Sequence, residues 1–268
     1  ANYNHPRANY LIAKMLLNGY IGNNTKKDFD LAWTYLKKAE KLGSIAALNT
    51  IGLLYLKDNK IETAIQYFTK ASNHNYVYAY NNLGKIYENN KEYDKAFDYY
   101  LKSANLEESW ACNKVGECYR LGIGTNIDMK ASFYYYNLSL NVPIKLINNW
   151  GKYNLAKYFY LNGNYEANVE KDEEIAIKLL KETSDNDIFN ATLELVYYYA
   201  NKYILTKNSD YLNYLNTFII KISTYKEYDS IYKKDIEKKL LDIKNKKIID
   251  INILNWIEKN KLPVKTTY

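Results

Sequence analysis

A chain of 268 residues with 47% hydrophobic content is long enough for one extended repeat array or two ordinary domains around a continuous core. Its net charge of +7 is uneven: about +5 over residues 1–150, −4 over 151–200 and +6 over 201–268. No apolar run reaches membrane-spanning length, so no membrane insertion is expected. Cys112 and Cys118 lie on one predicted helix too far apart for a disulfide, so both read as buried thiols. With only 3 Pro in the chain, long stretches are free for helix.

In chain order, the first predicted helix carries Ala8, Ile12, Ala13 and Leu16. A long Gly/Asn connection, Gly19 to Asp28, leads to a second helix marked by Ala32, Tyr35 and Ala39. Gly43 follows, where a left-handed C-cap suits Gly. The pattern then repeats. Ala47, Ile51, Gly52 and Tyr55 precede the short turn Asp58 to Lys60 and the helix of Ala64, Tyr67 and Ala71. After Asn75, the set Ala79, Leu83, Gly84 and Tyr87 precedes Asn89 to Lys91 and the helix of Ala96, Tyr99 and Ser103. A fourth hairpin joins Ala111, Val115, Gly116 and Tyr119, through Gly122, Gly124 and Asp128, to Ala131, Tyr134 and Leu138. Pro143 stops helix between the fourth hairpin and the fifth. The fifth reads as Lys152, Ala156 and Tyr160, with Lys in the small-residue position, then Gly163 to Asp172, then Ala176, Leu179 and Thr183. Ala191, Leu195 and Tyr199 open a degraded sixth hairpin over residues 188–223. Residues 226–247 and 249–260 read as two lysine-rich helices without the alanine phase, as a terminal cap would.

The second-helix alanines recur at intervals of 32, 32, 35 and 45 residues. A period near 34 with insertions confined to turns is the signature of stacked helical hairpins. Each hairpin alone buries too little to stand, so neighbours must share a core. The expectation is an all-α, right-handed α-solenoid of about six helix-turn-helix repeats over 1–223, with C-terminal capping helices over 224–268. The small residues Gly52, Gly84 and Gly116 would let the second helix approach closely.

Ala111, Val115, Gly116, Tyr119, Gly122, Gly124, Asp128, Lys130, Ala131 and Tyr134 resemble the Sel-like (Sel-one) repeat family, a branch of the tetratricopeptide class, position by position. Repeats two and three lack the GxG turn and are closer to plain tetratricopeptide units. The resemblance implies an α-solenoid that scaffolds or docks other proteins, in bacteria among other organisms, without catalysis or cofactor.

Direct signs of chemistry are sparse. Gly122-Ile123-Gly124 follows no strand and lacks a dinucleotide fingerprint. His5 and His74 sit at separate repeat edges, and no metal-ligand spacing is present. Asn49, Asn81, Asn113 and Asn154 recur two positions before the leading apolar residue of four first helices, about 160° from the buried stripe. An amide ladder there, flanked by Lys85, Glu117, Arg120, Tyr158 and Tyr197, is expected to pair with an extended peptide or protein segment on the concave face. Leu53, Leu56 and Leu161 add apolar surface on that side. An alternative is the effector-sensing domain of a transcription regulator whose DNA-binding part is not in this chain. Nucleic-acid binding through Lys233, Lys234, Lys238, Lys239, Lys244, Lys246 and Lys247 is disfavoured by the interspersed Asp and Glu. With no signal-peptide pattern, a cytoplasmic location is expected.

Overall fold

A computed structural model describes residues 5–20, 26–140, 149–223 and 225, save the side chains of 26, 27, 204 and 223. The predicted capping helices and Pro143 lie outside the described residues. Every regular element among the described residues is a helix, with one isolated antiparallel bridge, Asn164 to Val169, and no strand. They fall into two compact units, divided between Asn148 and Asn149.

The first unit is four helical hairpins. They are α1 (Pro6–Leu17) with α2 (Lys26–Lys41), α3 (Ile45–Lys57) with α4 (Ile61–Ser72), α5 (Val77–Asn89) with α6 (Tyr93–Ala104), and α7 (Ser109–Leu121) with α8 (Met129–Leu138). Side-chain caps start several of these helices: Ser44 accepts from the Ala47 amide, Glu108 from Ala111 and Asp128 from Ala131. Left-handed residues end the second helices, with φ of 86° at Gly43, 55° at Asn75 and 58° at Glu107.

The core of this unit is a series of small clusters, each shared between consecutive hairpins. Leu36 and Ala39 pack with Ala47 and Ile51, Phe68 and Ala71 with Ala79 and Leu83, and Tyr100 and Ala104 with Ala111 and Val115. Each hairpin buries its apolar stripe only by stacking on the next, as a one-dimensional array requires. In the first hairpin Ala13 and Leu16 carry the burial, while Ala8 and Ile12 are half-exposed.

The glycines of the first helices each lie under an aromatic ring of their own second helix. A Cβ on Gly52 would come within 2.7 Å of the Phe68 ring, and one on Gly116 within 2.8 Å of Tyr136. Tyr100 covers Gly84 in the same way. Where the first helix has Ala instead, the facing residue is Leu: Ala13 clusters with Leu36, and Ala156 with Leu180. Volume is exchanged across the helix pair so that the summed packing stays constant. Beside each ring, a tyrosine of the first helix stacks on one of the second. The pairs Tyr55–Tyr67, Tyr87–Tyr99 and Tyr119–Tyr135 have centroids 5.5, 5.4 and 5.8 Å apart.

These pairs correct the reading of α8. The residue equivalent to Tyr67 and Tyr99 is Tyr135; Tyr134 is 59% exposed. The small residue buried against the first helix is Ser132, not Ala131, and Ser139 takes the place of Ser103. Ser132 stands four residues after the cap Asp128, as Ala64 does after Lys60 and Ala96 after Glu92, so Ala131 falls one position early.

The second unit holds α9 (Asn149–Leu155), which runs into a π-helical turn at Ala156–Tyr160, then α10 (Glu173–Asp185), α11 (Phe189–Thr206) and α12 (Ser209–Ser223). Among its described residues Ala156, Leu180, Leu195, Val196 and Leu215 belong to a common hydrophobic cluster. Tyr199 stacks on Tyr214 at 5.0 Å, repeating the tyrosine pairing of the first unit.

The π turn corrects a second expectation. Before it, the buried small residue is Gly151 rather than Lys152, with Leu155 and Ala156 behind it. After it, the Tyr160 carbonyl accepts from the Asp172 amide at 2.9 Å, as the Tyr119 carbonyl does from Asp128. Tyr160 lies nine residues beyond Gly151, whereas Tyr119 lies eight beyond Ala111. The extra residue is absorbed where the Leu161 amide bonds back to the Ala156 carbonyl, five residues earlier. Lys152 is left on the flank, where it pairs with Glu182 at 2.6 Å.

Candidate functional site

The face shared by first helices α3, α5 and α7 is where the amide ladder was expected. Asn49, Asn81 and Asn154 are buried, at 6, 7 and 9% exposure, so they are not the open amides that a docking ladder needs. The reason is geometric. A first helix inside the stack packs against its own second helix, the preceding second helix and its neighbouring first helices. The position 160° from the main stripe therefore falls in a seam between first helices. Asn49 accepts through Oδ1 from Asn82 Nδ2 at 2.9 Å, and Asn81 donates through Nδ2 to Glu108 Oε2 at 3.0 Å. Glu108 is also the cap of α7, accepting from the Ala111 amide at 2.8 Å. The asparagines thus join successive first helices. Asn113 is half-exposed. Asn154 leaves the series altogether, because the π turn's register places Tyr153 at the equivalent position.

Charged side chains continue the cross-linking. Lys114 of α7 bridges Glu88 of α5 at 2.9 Å and Glu117 of its own helix at 3.2 Å. The Tyr100 hydroxyl donates to Glu88 at 2.8 Å. Burial alone would raise the Glu88 carboxyl, but the bonds from Lys114 and Tyr100 outweigh it and hold the group below its ordinary value. Burial likewise opposes the charge of Lys114, yet the two carboxylates hold its ammonium above the usual lysine range. Tyr100 is pushed up, first by burial and then by the facing Glu88. Arg120 Nε donates to the Tyr136 hydroxyl at 3.4 Å.

What remains outward is a row of side chains at one repeat position: Leu53 at 42% exposure, the exposed Lys85 and the half-exposed Glu117. The Lys85 ammonium rests 4.8 Å from the Trp110 ring centroid. Leu56 is half-buried. The structure therefore brings Asn49, Asn81, Lys85, Asn113, Glu117 and Arg120 onto one face of the first unit. Tyr158 and Tyr197 belong to the second. Lys157 Nζ lies 5.6 Å from the Tyr158 ring centroid, and the Tyr197 hydroxyl is buried. Glu88, Glu108, Trp110 and Lys114 were missed. Glu88 and Lys114 stand 26 residues apart on consecutive first helices, short of a full repeat, so their pairing is visible only once the two helices are placed side by side.

Cys112 and Cys118 are buried and free. Burial pushes the thiols up to about 12 and about 11 respectively, with Glu108 adding to the first. Both should therefore stay protonated and unreactive at neutral pH. Ellman's reagent should modify neither thiol in the folded chain and both after denaturation. Rapid native labelling of either would show that α7 opens. Among the described residues, no cluster of three His, Cys, Asp or Glu side chains is placed to hold a metal. No described helix is long and apolar enough to cross a membrane.

Stacked antiparallel hairpins with a small-residue phase and a shared inter-hairpin core define a tetratricopeptide-class α-solenoid. The Sel1 repeat matches residues 6–44, 111–141 and 151–187, and the Tetratricopeptide repeat matches 45–73 and 77–109. The chain belongs to the Sel-like repeat family, with two plain tetratricopeptide units set among the Sel-type ones. Among solved structures it is similar to a Sel1 repeat protein from Oxalobacter formigenes, with 25% identity and a TM-score of 0.62, over 74% of this chain and 79% of that one. It also shares the fold of c5321, a protective antigen of uropathogenic Escherichia coli, with 18% identity and a TM-score of 0.54, over 82% of this chain and 54% of that one. A search of curated proteins returned no match. Proteins built from these repeats are generally interaction scaffolds.

Proposed function

We propose that this chain is a non-catalytic scaffold in the cytoplasm that holds a peptide or protein segment against the first-helix face of its first unit. One observation carries the reading. The first helices of consecutive hairpins are tied to each other by side-chain bonds, Asn82 to Asn49 and Lys114 to Glu88, so the outward row Leu53, Lys85 and Glu117 is presented at a fixed spacing. A surface ordered before binding loses less entropy when a partner docks. The row offers one apolar, one cationic and one anionic contact, and Asn113 and Arg120 flank it. Such a mixed strip suits an extended segment whose side chains differ in character.

Photo-crosslinking tests this directly. A photoreactive residue at position 53 or 85 should trap one and the same partner from native lysate. The same probe at the exposed second-helix position Glu62 should not. Lys85→Glu should weaken capture about tenfold, the scale of a partly desolvated contact. Equal capture from all three positions, or capture indifferent to Lys85→Glu, would remove this face from the function.

A further inference from the structure

The second unit holds a groove of about 660 Å³ between α10, α11 and α12 that the first-helix face does not use. Its floor is tyrosine. Tyr199 is buried and stacks on Tyr214, Tyr211 lies 6.2 Å from Tyr199, and Tyr198 meets Tyr199 edge-on. Lys181 of α10 reaches over this floor, its ammonium 4.8 Å from the Tyr214 ring centroid and 5.7 Å from Tyr199.

The carboxylates around the groove are largely committed. Glu173 is bonded by Lys171 and Lys202 at 2.6 Å each and by the Tyr198 hydroxyl at 2.9 Å, which together hold its carboxyl down at about 2. Glu182 pairs with Lys152 at 2.6 Å, and Asp185 with Lys221 at 3.2 Å. Among the described residues, Glu174, Lys178 and Lys181 line the groove without an ion pair. Asp185, one helical turn beyond Lys181, is taken by Lys221, so the Lys181 ammonium over its aromatic floor has no carboxylate within ion-pair distance among the described residues.

From this geometry we infer that the α10–α12 groove docks a protein segment in which one Asp or Glu stands beside an aromatic side chain. The carboxylate pairs with Lys181, and the neighbouring ring lies on Tyr214 and Tyr211, where half-exposed tyrosine offers apolar area with little mobility to lose. A single-stranded nucleic acid would also stack on tyrosine. Its repeating phosphates, however, call for a run of unpaired cations, and the groove lining offers Lys178 and Lys181 with Glu174 beside them. A basic segment finds Glu173, Glu182 and Asp185 already paired with lysines. One isolated negative charge next to an apolar group is what the groove leaves unmatched.

The test is selection of phage-displayed random dodecapeptides on the full chain, followed by titration of the enriched peptides. They should carry an acidic residue adjacent to an aromatic one. Lys181→Met keeps the aliphatic stem over Tyr214 and deletes the charge, so binding should fall about tenfold. Tyr214→Ala should weaken it by a similar factor. Lys85→Glu, in the other unit, should leave it unchanged, which separates this groove from the first-helix face. Circular dichroism melts report whether each variant folds; should Tyr214→Ala unfold, Lys181→Met decides alone. No enrichment, enriched peptides lacking a carboxylate, or full binding by folded Lys181→Met would overturn the proposal. So would oligo-dT binding that is lost with Lys181.

Discussion

Gly124→Ala should destabilise the first unit by more than about 3 kcal/mol, near the upper end of what overpacking costs. Two effects add. The residue has φ +67°, a region in which an alanine is strained by roughly 1–2 kcal/mol. A Cβ there would also run into the backbone of the preceding hairpin, 2.5 Å from the Tyr93 carbonyl carbon and closer still to its oxygen. Backbone at the start of α6 has no rotamer through which to withdraw. Gly43 supplies the control. Its φ is +86°, but a Cβ there meets nothing within 4 Å. Gly43→Ala should therefore show the conformational effect alone. Thermal melts followed by circular dichroism would place Gly124→Ala well below Gly43→Ala, by several degrees at roughly 2–4 °C per kcal/mol. Equal melting temperatures would mean that the close approach between hairpins three and four carries no energy.

The second large effect lies under the rings. Gly52→Ala should gain about 1 kcal/mol in helix propensity and still lose stability, because its methyl lands 2.7 Å from the Phe68 ring, which is fully buried. A net loss of about 1–2 kcal/mol is expected from the overpacking range. Phe68→Leu alone should also destabilise, by leaving a void above the glycine. The double variant Gly52→Ala with Phe68→Leu rebuilds the pairing that the chain already uses at Ala13 with Leu36 and Ala156 with Leu180. A double-mutant cycle by urea denaturation should return a favourable coupling of at least about 1 kcal/mol. Additive losses would show that ring and glycine are not matched.

The fold was legible because its determinants are local and periodic. Ala47, Ile51, Ala79, Leu83, Ala111 and Val115 are all fully buried, at the phase their spacing implies. Where reading failed, it failed by one residue. Ala131 and Lys152 each stand beside the position that counts, and composition gives no reason to prefer Ser132 or Gly151. Only the tyrosine stacks and the π turn fix the register. The site was less legible than the fold for a different reason. An angle on a helical wheel shows what lies opposite one stripe, but an interior helix of a stack has neighbours on several sides. Asn49 and Asn81 point away from the main core and are buried all the same. Their partners Asn82 and Glu108 come from the adjacent repeat, at distances in sequence that no single-helix pattern reports.

The bulge at Ala156–Tyr160 bears on how such arrays can change over time. A codon gained inside a helix would ordinarily rotate every later side chain of that helix by about 100° and spoil its seams up to the next turn. Confined to one wide turn, the surplus unit is spent before the chain reaches Asp172, and the Tyr160 carbonyl still meets its amide. A repeat protein with this device can lengthen one module without rewriting the rest.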